Sequence, residues 1–206
     1  MESQARGGTR WRRFGLVMVP SVAATAAIGI ALAQGALAAS FAVSGQQFKV
    51  SADRLVGEGF VQYGSVVDPS GKNEQPVSIS AFDSADITNL CQSVVIPGIP
   101  VIGDVTLQLG AGSDPDNPVR AENLFIDIAQ LDASEAVFSN VDIGVSVDST
   151  TKGPDPTGDT LPGSFAQQAD EVELRNIEQT AWATSAGSFR LTDFSLDLSL
   201  GRNECF

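Results

Sequence analysis

The chain contains no histidine. That absence removes the Ser-His-Asp triad, the Cys-His dyad and the usual zinc sites together, since each relies on imidazole as base or ligand. Basic residues are scarce, 12 against 25 acids, for a formal charge of −13 and a pI near 4.2. Nucleic acid is therefore not an expected partner, because phosphate binding needs a basic face. No Gly-x-Ser-x-Gly elbow occurs, and no glycine-rich phosphate cradle follows a strand pattern. Sustained 3.6-residue periodicity is missing as well, and the one helix expected past the first forty residues is short, around Ser164–Asp170.

What is present begins with an address. Arg6, Arg10, Arg12 and Arg13 precede a run from Phe14 to Ala39 without a charged residue. Such a run is long enough to cross a bilayer, which takes about 20 apolar residues, and the arginines hold its start on the cytoplasmic side. Ala36-Leu37-Ala38 before Ala39 fits a small-x-small cleavage site. Residues 1–39 are thus expected to be a signal peptide or a hydrophobic transmembrane helix serving as anchor. Residues 40–206 are expected outside, secreted or on the outer face of the cytoplasmic membrane. With Glu2 the only acid in the leader, the exported part carries 8 basic and 24 acidic residues, a net of −16.

The exported part repeats a six-residue pattern: apolar, any, apolar, any, Asn or Asp, apolar. It reads Ala85–Leu90, Val119–Leu124, Ala136–Val141, Val172–Ile177 and Phe189–Phe194, with a weaker copy at Pro100–Val105. The five starts lie about 17 residues apart or about twice that. Within each copy the apolar phase shifts at the Asn or Asp, so that Leu174 and Ile177, or Ile87 and Leu90, stand three apart. A strand keeps both inward only by bulging between them. Asn and Asp suit that place because they tolerate left-handed backbone and hydrogen-bond locally. Past the last shift, Phe194, Leu196, Leu198 and Leu200 alternate with polar residues, as a half-buried strand does. Gly153 to Gly163, with three prolines, is expected to be the most mobile connection.

The expected class is all-β. Units of about 17 residues, each a strand and a turn, form either a curled antiparallel sheet (sandwich or barrel-like) or a short β-solenoid. Cys91 and Cys205, the only cysteines, are expected to pair in the oxidising exterior. Cys91 follows the first copy and Cys205 the last, so their bond favours a sheet that returns on itself over an open stack.

Candidates for chemistry are thin. Ser-Lys hydrolysis would need Lys49, Lys72 or Lys152 buried, and all three lie in polar surroundings. Paired carboxylates arise routinely on an acidic surface. Asp114-Pro115-Asp116-Asn117 lacks the glycine and closing Glu of a calcium loop and reads as a turn. No catalytic residue, cofactor or metal ligand is assigned. Trp182, the one tryptophan outside the leader, is a core residue or, alternatively, lines an apolar groove.

Blocks spread over nearly the whole chain carry a resemblance: Met18–Gly29, Ala33–Phe41, Ser44–Val50, Asn89–Val95, Phe165–Asp170 and Gln179–Thr184. They resemble an uncharacterised family of streptomycete, hence actinobacterial, exported proteins, classed as a domain of unknown function. Many members bear the label cholesterol esterase, and many are encoded beside a small multi-spanning membrane protein. The resemblance implies a cell-envelope setting, that membrane protein as a partner, and lipid-ester hydrolysis. The missing histidine conflicts with the last. The reading that fits both residues and setting is a non-catalytic envelope protein binding a hydrophobic or lipid ligand, or another envelope component. A lipid-ester hydrolase and a self-assembling structural protein are the alternatives. Membrane contact is expected through residues 14–39 if the leader stays.

Overall fold

A computed structural model of the chain describes residues 46–69, 73–158 and 160–206. The leader at 1–39, with its expected hydrophobic helix and cleavage site, lies outside the described residues, as does Lys72. The rest is all-β, in nine antiparallel strands: β1 Phe48–Val67, β2 Gln75–Thr88, β3 Leu90–Ile99, β4 Gly103–Ala111, β5 Val119–Ser139, β6 Asp142–Ser146, β7 Phe165–Ser185, β8 Ser188–Arg190 and β9 Ser195–Leu200. Ser164–Asp170 is not a helix. Its Gln-Gln-Ala-Asp run has helical propensity, but Phe165–Gln168 is hydrogen-bonded to β6 and Ala166–Ala169 to β1, and tertiary pairing overrides propensity. The single helical turn among the described residues is a 3-10 turn at Val147–Ser149.

β1 pairs with β2, β2 with β5, β5 with β7, and β7 again with β1. The four long strands thus form a circuit, and the sheet curls into a partial ring rather than a solenoid. Strands of 20 or 21 residues cannot follow so tight a curl while staying straight. They bend along two lines where the ladder skips a residue. One line runs Ser134, Asn176, Asp53, Asn89, Gly112, Asp193 across successive strands; the other runs Asn140, Asp170, Gly59, Asp83, Asn123, Gly187.

All five Asn/Asp of the sequence repeat sit on these creases with left-handed backbone: φ is 53° at Asn89, 49° at Asn123, 56° at Asn140, 47° at Asn176 and 49° at Asp193. Gly59 and Gly112 hold the same conformation, at 59° and 65°. At Gly59 a side chain is also excluded by space, because a Cβ would meet the Asp83 carboxylate at 2.0 Å. Side chains then bridge the creases. Asn89 Nδ2 donates to Asp53 (3.1 Å), Asn176 Nδ2 to Ser134 (2.8 Å), Asn140 Nδ2 to Asp170 (2.7 Å), and Ser113 Oγ to Asp193 (3.1 Å). The repeat residues are therefore cross-strand clasps as well as bulge formers. Following the second crease once round the circuit leads from Asn140 back to the same strand at Asn123, and from Asp170 to Gly187. That displacement of about 17 residues is the repeat, so its length measures one circuit of the curl.

The weak copy at Pro100–Val105 is different. It forms the β3–β4 turn, with positive φ at Val101 and Gly103 instead of at Asp104. The bulge does bury both members of the pairs Leu174/Ile177 and Ile87/Leu90. It does not bury Val141 or Phe194, nor Leu196, Leu198 and Leu200, which are exposed on β9, an edge strand paired only with β4 among the described residues. The proline-rich connection meets the sheet at Thr157. Thr157 N–H donates to Tyr63 Oη (2.7 Å), whose hydroxyl donates back to Thr157 O (3.1 Å), and Val147 plugs the outer face of the sheet beside Tyr63, Ile79 and Ala166.

Beyond the ring, β3, β4 and β9 form a wing. Its polar face holds buried Ser93 and Thr106 under the C-terminal segment, which is fastened by the Cys91–Cys205 disulfide with Cα atoms 5.9 Å apart. Breaking it with Cys91→Ser/Cys205→Ser frees a loop of 114 residues and is expected to cost about 4–5 kcal/mol in the chain-entropy model, read as a drop in the urea midpoint. Asn176→Ala should cost about 1–2 kcal/mol for left-handed backbone plus about 1 kcal/mol for the clasp. Asn176→Gly should lose only the clasp.

Candidate functional site

Because each strand changes phase at its creases, the inward residues on both sides of a bend face one interior. Val50, Ala52, Leu55 and Phe60 of β1, Phe82 and Ile87 of β2, and Val172, Leu174 and Ile177 of β7 converge there. With Ile126, Ile128 and Leu131 of β5 they enclose a cavity of about 270 Å³, near the lower end of the ~300–1,000 Å³ of small-molecule sites. It stays open because small residues occupy inward positions where a Leu would fill the space: Ala52, Ala133 and Ala136. Phe60 stacks at a tilt against Phe82 and Phe138, ring centroids 5.4 and 5.6 Å apart, and gives one wall an aromatic surface.

The mouth follows from the pairing. β5 beyond Ile128 is bonded to β7 on one side and to no strand on the other, among the described residues. Its Ala133, Ala136 and Phe138 line the cavity and are also exposed. No lining residue is charged; the polar ones are Gln62, Ser80 and Gln179. Gln62 Nε2 donates to Ser80 Oγ (2.8 Å), and Gln167 Nε2 donates to Gln62 Oε1. Ser80 is the one serine in the lining, and its neighbours are amides, so no titratable group stands in the cavity to take its proton. The two lysines among the described residues lie elsewhere: Lys49 at Glu204 (3.5 Å), Lys152 between Asp142 and Asp170 (3.2 Å each) while also donating to Asn140 O. For Lys152 burial works against the charge, but hydrogen bonds to the two carboxylates hold its pKa above the usual value. A larger hollow of about 410 Å³ among Arg54, Asp86, Asp116 and Arg120 is walled by exposed and half-exposed residues, so a ligand there would keep its water.

Among the sequence candidates, Cys91 and Cys205 are bonded at the wing, away from the cavity lining. Trp182 is half-buried against the second core cluster, with Val67, Phe125 and Val145, and does not line the cavity. Asp114–Asn117 is a turn, closed by Asn117 N–H to Asp114 O (3.0 Å). Among the described residues no group of three or more His, Cys, Asp or Glu is placed to hold a metal ion. Sequence reasoning picked out several wall residues as repeat positions, but missed that they surround a void. The signal available was the small inward alanines.

Asp127 lies between the wall residues Ile126 and Ile128 on the opposite face of β5. It is half-buried, and desolvation pushes its carboxyl pKa up. A folded pKa above the unfolded one means that the ionised carboxylate costs stability at neutral pH. The cost vanishes once pH falls below the unfolded value of about 3.9. Asp127→Asn is therefore expected to raise Tm at pH 7, with the gain shrinking towards pH 4, in melts across a pH series.

Comparison of the chain with curated proteins and with solved structures gives no significant match. The family comparison does match, over residues 44–206, which takes in every strand of the sheet. By that match the chain belongs to DUF6230, a family of unknown function.

Proposed function

We propose that the protein is a non-catalytic, exported cell-envelope protein whose curled sheet holds a small hydrophobic molecule. The observation that carries this is the uncharged, aromatic-walled cavity of about 270 Å³ with an exposed mouth on β5. A void in a core forfeits dispersion contacts that filling side chains would supply. Four strands are nevertheless folded round this one with alanines facing in, an arrangement suited to an apolar guest. Gln62, Ser80 and Gln179 offer a guest's single polar group a place to hydrogen-bond. The leader-like run from Phe14 to Ala39 and the disulfide agree with export.

The test titrates the protein with a fluorescent fatty acid and, in competition, cholesterol. Ala136→Trp at the mouth replaces an exposed side chain and so leaves the core intact. It is expected to weaken binding at least about tenfold, or about 1.4 kcal/mol, with Tm unchanged. Undiminished binding by the variant, or none by the native chain, overturns the reading. Assay on cholesteryl and p-nitrophenyl esters runs beside it. Turnover abolished by Ser80→Ala would replace the binder with a hydrolase.

A further inference from the structure

The sheet face that lines the cavity does not stop at the ring. Successive pairings place Leu131, Gln179, Val50, Gln92, Leu109 and Leu196 in one row across β5, β7, β1, β3, β4 and β9. Up to Val50 this row is cavity wall. Beyond it, the same face runs out onto the wing as further rows, Val94–Leu107–Leu198 and Ile96–Val105–Leu200. These rows open to solvent towards the β9 edge and the tip: Leu198 and Leu200 are 69 and 71% exposed and Ile96 40%, while Val94, Val105 and Leu107 are half-buried. The wing is inside out, with its polar face buried under the C-terminal segment and its apolar face bare.

We propose that the bare face of β3, β4 and β9, together with the β3–β4 tip, seats on a lipid bilayer. Three observations select lipid as the occupant. The tip, Ile96 to Gly103, has no charged residue, and Val101 and Ile102 project from its end, Val101 at 106% exposure. A second copy packed face to face would cover the rows, yet leave such a tip in water; an interface of headgroups and acyl chains takes both. Charge points the same way. Of the 24 acids past the leader, only Asp104, Asp197 and Glu204 stand on these three strands and the tail. Asp104 is paired with Arg202 (3.0 Å) and Glu204 with Lys49 (3.5 Å). The acidity that would repel a headgroup surface is thus carried elsewhere on the molecule.

The third observation is where the chain comes from. Eight residues separate the uncharged run Phe14–Ala39 from Phe48, a reach of at most about 32 Å. Lys49–Ser51 then pair with Ser93–Cys91 of the wing itself. A span of that run in a bilayer would keep the wing, rather than the far end of the ring, within reach of the surface. This goes beyond ligand binding in the cavity and does not require it.

The experiment uses the full chain in phosphatidylcholine vesicles. Both native cysteines are bonded and none is free, so a single introduced cysteine can carry an environment-sensitive fluorophore. Val101→Cys and Leu198→Cys report the tip and the face; Ser139→Cys, exposed at the end of β5, is the control. Doxyl lipids are expected to quench the first two several-fold more than the third. Equal quenching at all three sites, or failure of the chain to stay with the vesicles, overturns the proposal. So does energy transfer between labelled copies that persists when the chain is diluted among excess lipid, which would make a second copy the occupant. Ala136→Trp separates this from the cavity reading, since it should leave quenching at Val101→Cys and Leu198→Cys unchanged.

Discussion

The whole architecture hangs on a backbone conformation. At two lines across the sheet the chain must enter the left-handed region, which costs an ordinary residue about 1–2 kcal/mol and Asn, Asp or Gly much less. Asn89, Asn123, Asn140, Asn176 and Asp193, with Gly59 and Gly112, supply those residues. Without them, strands of 20 or 21 residues would run straight off the sheet, and β7 could not meet both β5 and β1. The cavity, its mouth on β5 and the second core under Val147 all follow from that return.

Side-chain chemistry reinforces the backbone. Each clasp places a short donor on one strand opposite a short acceptor on the next: Asn89 to Asp53, Asn176 to Ser134, Asn140 to Asp170. Such bonds contribute about 1 kcal/mol apiece. Their greater effect is on register, since a strand slipped by one residue would part each Asn from its partner and set it against Ala52, Ala133 or Ala169 in one direction and Arg54, Glu135 or Glu171 in the other. Lys152 adds to one clasp, reaching Asp142, Asp170 and the carbonyl of Asn140 at the bend itself. The disulfide acts elsewhere, holding the C-terminal segment over polar Ser93 and Thr106.

The crease residues were legible in the sequence because left-handed backbone is demanding: few residue types fit, so the pattern repeats. The all-β class and the Cys91–Cys205 pairing were legible for similar reasons of restricted choice. Pairing order was not. β5 and β7 each change partners along their length, and no local signal in Val119–Ser139 or Phe165–Ser185 marks where. Ser164–Asp170 misled because propensity reports isolated segments, whereas strands on both sides decide there. The alternation of Leu196, Leu198 and Leu200 correctly gave a strand. Periodicity tells which residues share a face but not whether anything lies over it, and here that face is bare.

The equality between repeat length and circuit length constrains how such a chain can vary. From Asn123 to Asn140, or Asp170 to Gly187, the count is fixed by geometry. One residue inserted or deleted between creases would drive a left-handed corner into a flat face and turn every later side chain inside out. Changes in length belong to the connections at 68–74, 113–118 and 150–163. The girth of the interior is thereby set by arithmetic, and its volume can change only by exchanging side chains on walls of constant circumference.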